Sequence, residues 1–161
     1  MRRVLVLLAS VLTLAAGGVA WMNPDPAPPE ARVPTGFQHA YALHDCAPWD
    51  GPAITIYLTR MPWSGKLPRS HFRVAIWRGD LRDGQELRLD ESEGNSPTGS
   101  ASYCDGSGCR SLGARVRVVV SQFRRDRSIE GELFWPLGDT TGREFALPFH
   151  AEWRPRTPLC G

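Results

Sequence analysis

The chain has 161 residues, of which 42% are hydrophobic and 22% charged, with 16 Gly, 14 Pro and four Cys. That is one ordinary domain, large enough to bury a core. The formal net charge of +2 comes from Arg2 and Arg3 alone: without them the basic residues equal the 17 acidic ones in number. A neutral remainder lacks the basic surface that a nucleic-acid partner requires.

The N-terminus reads as an export signal. Arg2 and Arg3 form a positive end, Val4 to Leu14 an apolar stretch, and Ala15 to Ala20 a run of small residues suited to cleavage before Trp21. Residues 1–20 are therefore expected to be a signal peptide. The alternative is an uncleaved anchor, because Val4 to Met22 carries no charge and would span a bilayer core of about 30 Å as a helix. Either fate places the rest of the chain outside the cytoplasm, in the periplasm or cell envelope of a bacterium, free or held at the inner membrane. Residues 21–35 are a Pro-rich linker, with prolines at 24, 26, 28, 29 and 34 that favour an extended spacer. Residues 36–161 form the folded domain.

Four cysteines in an exported chain point to two disulfides. Cys104 and Cys109 flank Asp105-Gly106-Ser107-Gly108, whose glycines suit the positive-φ positions of a tight hairpin turn. Cys46 and Cys160 then tie the first strand region to the chain's last residues. Zinc would favour two closely spaced Cys pairs, and a redox couple a Cys-x-x-Cys before a helix; neither pattern is present.

Along the domain, apolar residues alternate with period two. Phe37, His39, Tyr41 and Leu43 share one face, followed by Ile54, Ile56 and Leu58, then Phe72, Val74 and Ile76. Leu87 and Leu89, Val116 to Val120, Ile129 to Trp135 and Phe145 to Trp153 continue the pattern. Turn signals recur at Arg82-Asp83-Gly84, over 94–99, at Arg124-Arg125-Asp126 and over 138–142, and no stretch of the domain shows a helical period. The expected fold is all-β: a single antiparallel sandwich or partly closed barrel of about eight short strands. Pro148 argues that the last strand lies at an edge.

The candidate binding residues are aromatic. Trp135 and Trp153 fall on the apolar faces, but Trp77 and Tyr57 point the other way and Trp49 and Trp63 lie in loops beside Pro48 and Pro62. Indoles presented to solvent on a β domain bind sugar rings and anchor protein interfaces. Trp49, Tyr57, Trp63 and Trp77 are therefore the expected contacts to a protein or glycan of the envelope.

Catalytic signals are weak: there is no Gly-x-Ser-x-Gly elbow, and His44-Asp45 is a commonplace pair. No catalytic residue, metal site or cofactor is assigned. A small periplasmic hydrolase of envelope polymers using His71 or His150 with a carboxylate is the competing reading, and a membrane-anchored structural subunit of an envelope complex a third.

Overall fold

The structure is a computed structural model, and it describes residues 36–89, 92–93, 96–112, 116–136 and 144–155. The leader, the linker, Cys160 and the turn expected over 138–142 lie outside these residues. Eleven strands follow in chain order: β1 His39–Cys46, β2 Pro52–Thr59, β3 His71–Ile76, β4 Glu86–Arg88, β5 Ser92–Glu93, β6 Ser96–Pro97, β7 Gly99–Asp105, β8 Gly108–Ser111, β9 Arg117–Arg124, β10 Ser128–Pro136 and β11 Glu144–Trp153. No helix occurs among the described residues.

Nine strands form one sheet in the order β4-β9-β10-β11-β1-β2-β3-β7-β8, and β5 and β6 pair separately. The sheet is mixed, which corrects the expectation of a purely antiparallel one. β1 and β11 run parallel, with Ala40 opposite Ala151 and Ala42 opposite Trp153. Period-two patterning reports which face a residue occupies and carries no information on strand direction. A first strand that pairs with the last is therefore invisible to it.

One face of this sheet makes one core. Ile54, Ile56, Leu58, Phe72, Val74, Ile76, Val116, Val118, Val120, Ile129, Leu133 and Trp135 all lie in it, buried. The rings of Phe72 on β3 and Trp135 on β10 are 5.2 Å apart. In a flat sheet those strands, separated by β11, β1 and β2, would stand about 19 Å apart. The sheet therefore curls over its own apolar face. Its margins approach as well: Thr98 Oγ1, before β7, donates to the carbonyl of Arg88 on β4. A Cβ on Gly99 would come within 2.8 Å of Leu89.

The first strand inverts its expected face. Ala40 and Ala42 enter the core, while Tyr41 and Leu43 point outward with Tyr57. The β2–β3 loop covers this second cluster with Trp63 and Leu67. β11 lies inside the sheet order rather than at an edge. Its ladder with β1 covers only Ala151 to Trp153, so Pro148 falls where β10 alone pairs with it. There the segment leading into β1 does not pair with β11, leaving a cavity of about 120 Å³ between Phe37–Ala40 and Leu147–His150.

Candidate functional site

The β1–β2 hairpin positions the most exposed indole among the described residues. Cys46 and Pro52 pair across its base. Asp50 N donates to Ala47 O at 3.0 Å, and Ala47 N to Gly51 O at 2.8 Å. This is a tight turn with Pro48 at its favoured second position, and Asp50 follows in the left-handed region at φ 61°. Trp49 therefore sits at the tip, 47% exposed. A Cβ on Gly51 would lie 2.9 Å from its indole nitrogen, so only glycine leaves the ring this seat.

Trp77, the residue after β3, meets Trp49 edge to face with ring centroids 5.4 Å apart. Its backbone N–H donates to Thr98 O at 2.9 Å, which extends the β3–β7 ladder past Ile76 and fixes the half-buried indole. Farther along, Gly79 is pressed against Pro52. The two indoles thus form one aromatic ledge at the far end of the β1–β2 hairpin, one held in its turn and the other at the end of β3.

The other two expected contacts belong to a separate cluster. Tyr57 is buried at 7% exposure, and Trp63 packs edge-on against it at 5.9 Å and against Tyr41 at 5.5 Å. Trp63 N donates to the Tyr41 hydroxyl at 2.9 Å, and the Arg154 guanidinium lies over the Tyr41 ring. Tyr57 does point away from the main core, as its strand position implies, but the covering loop takes up its ring.

His44 and Asp45 face opposite ways. His44 stacks on Trp153 at 4.3 Å, and its Nε2 meets Asp126 Oδ1 at 2.9 Å. Asp45 accepts from the buried Thr55 hydroxyl at 2.9 Å and pairs with Arg73 at 3.6 Å. His71 Nδ1 donates to the carbonyl of Pro68 at 2.8 Å. His150 meets Glu130 across the β10–β11 ladder at 3.1 Å, in the open, and Glu152 is not its partner. No group of three or more His, Cys, Asp or Glu that could hold a metal occurs among the described residues.

Cys104 and Cys109 form the expected disulfide, directly opposite each other on β7 and β8. Of the two turn glycines only Gly108 takes a positive φ. Asp105 holds the turn instead, its carboxylate accepting from Ser107 N at 2.8 Å and from the Ser107 hydroxyl. Those bonds, with Arg110 nearby, lower the Asp105 pKa below the usual carboxylate value. Cys46 is also disulfide-bonded; its expected partner, Cys160, lies outside the described residues.

On the outer face, Arg117 lies 4.0 Å above the Phe134 ring and bonds Glu144 at 2.8 Å, with Glu86 at 3.5 Å. The bond to Glu144 chiefly raises its pKa. Sequence reading passed over this cluster because β4, β9, β10 and the start of β11 meet only in the folded sheet. No family model, curated protein or solved structure matches the chain.

Proposed function

We propose that this is an exported, disulfide-stapled domain of the bacterial cell envelope that binds a protein or glycan partner without catalysis, through Trp49 and Trp77. The observation that carries the reading is the exposed Trp49 ring, seated on a hydrogen-bonded hairpin tip against a second indole. Indoles held in place in the free protein lose little conformational entropy on binding, and their faces suit both a pyranose ring and a protein hot spot. Tyr57 and Trp63 drop out of the proposed contact, since their rings pack on each other in a separate cluster. The curled sheet is best read as a partly closed barrel, with the aromatic ledge at one rim.

The test compares wild-type, Trp49→Ala and Trp77→Ala protein. The two assays are cosedimentation with isolated peptidoglycan and crosslinking to proteins in the intact envelope. Each substitution is expected to weaken the partner's capture about tenfold or more, as truncation of a hot-spot aromatic does, without altering the folded state. Undiminished capture by both variants would overturn the reading.

A further inference from the structure

The β2–β3 loop, Arg60 to Ser70, is unlike the rest of the surface. It carries Arg60, Lys66 and Arg69 and no acidic residue, and Lys66 is the only lysine in the chain. All three are exposed, and none of them forms an ion pair with a described residue. Beside them Met61 is 65% exposed, the most exposed large hydrophobic side chain among the described residues.

The loop is also firmly seated. Thr59 Oγ1 donates to Met61 O, Trp63 N to the Tyr41 hydroxyl, and Ser70 meets the Tyr103 hydroxyl. Trp63 and Leu67 point down into the Tyr41–Tyr57 cluster. What faces out is a fixed cationic rim around one apolar side chain. That combination suits a lipid headgroup layer, where cations meet anionic lipids and an apolar side chain enters the interface.

Its place in the fold supports the same partner. The described chain begins at Gly36, and Gln38 N donates to Thr59 O, next to the loop's first residue. Arg60 also lies over the Phe37 ring. The loop and the point where the linker joins the domain therefore share one end of the molecule. The uncharged run Val4 to Met22 lies just beyond residues 23–35, a stretch that reaches at most about 45 Å. The Trp49–Trp77 ledge lies at the opposite end of the eight-residue β1, about 25 Å away.

We infer that the Arg60–Ser70 loop is a membrane-facing surface that rests on anionic lipid headgroups and turns the Trp49–Trp77 end away from the bilayer. The Arg124, Arg125 and Arg127 turn is the other basic surface, but Asp126 sits within it and no large hydrophobic residue stands exposed there.

The experiment uses the protein isolated from the envelope with the N-terminus it carries. It carries Met61→Cys or Asp80→Cys, labelled with an environment-sensitive fluorophore. The protein is added to or reconstituted into vesicles of phosphatidylcholine alone, or with about one third phosphatidylglycerol. The label at 61 is expected to shift to the blue in the anionic vesicles only, and the label at 80 in neither. Paired Lys66→Glu and Arg69→Glu substitutions, with an unchanged melting temperature, are expected to weaken the response by about fivefold or more per cation, as is high salt. An equal shift in neutral vesicles would overturn the inference. So would an equal shift at position 80, or a response lost with Arg125→Glu and Arg127→Glu but kept with the loop reversal. None of these outcomes bears on partner capture by Trp49 and Trp77.

Discussion

At the scale of single residues, Gly131 sets how closely two strands approach. A Cβ on Gly131 would lie 2.3 Å from the carbonyl oxygen of Val119 and 3.0 Å from the Phe149 ring. The β9–β10 register shifts between Glu130 and Gly131, so the bulge brings the neighbouring backbone over this position. Gly131→Ala must move backbone on both strands, and it is expected to cost about 3 kcal/mol. For a domain of this size that lowers the melting temperature by about 10 °C. Gly106→Ala is the control, because nothing lies within 4 Å of a Cβ there; it is expected to stay within about 0.5 kcal/mol of wild type. Thermal unfolding followed by circular dichroism separates the two. Equal melting temperatures would show that the bulge relaxes to accept a methyl group.

At the scale of elements, the β7–β8 hairpin is held by a covalent and an electrostatic device placed side by side. The Cys104–Cys109 bond closes it, and Asp105 caps the turn through Ser107. Hydrogen bonds to the ionised carboxylate hold its pKa below the ordinary value. The capping contribution is therefore fully present above about pH 4, and it is lost as pH falls through the folded-state value. Carboxyl titration by NMR is expected to place Asp105 below an ordinary aspartate, and Ser107→Ala to bring it back up. An Asp105 that titrates normally in the wild type would remove the cap. The hairpin itself was legible, because two cysteines around a Gly-rich tetrapeptide leave few alternatives. The strand feeding it was harder to see: Gly99-Ser100-Ala101-Ser102 has no apolar alternation, since its inward position needs only Ala101. The face of β1 was misread for the mirror-image reason. Tyr41 and Leu43 are the larger apolar residues, and they pack under a loop that period-two patterning does not report. Trp49 and Trp77 were individually legible as aromatics off the apolar faces. Their edge-to-face contact was not, because it joins a hairpin tip to the end of a third strand.

At the scale of the whole molecule, β11 joins two halves. On one side β4, β9 and β10 form an antiparallel unit; on the other β1, β2, β3, β7 and β8 form a second. β11 pairs with β10 from Ser128 to Pro136 and with β1 at Ala40 to Ala42, and nothing else in the sheet order bridges them. Its residues Phe149 and Ala151 enter the common core, and the Phe145 ring lies tilted 4.5 Å from that of Trp135. Each half alone would present one apolar face to water, which a sheet of this kind cannot sustain without a covering layer. The chain's first and last strands must therefore meet before the core closes, which makes folding dependent on distant contacts and slow relative to helical domains. A chain ending at residue 143 is expected to lose near-ultraviolet circular dichroism and cooperative melting together. A synthetic peptide spanning residues 144–155 is expected to restore both at a concentration that saturates. The same peptide with Phe149→Asp, which puts a charge into the core, is expected to restore neither. Cooperative melting of the truncated chain on its own would mean that one half supports a core without β11, and the keying role of the last strand would then be lost.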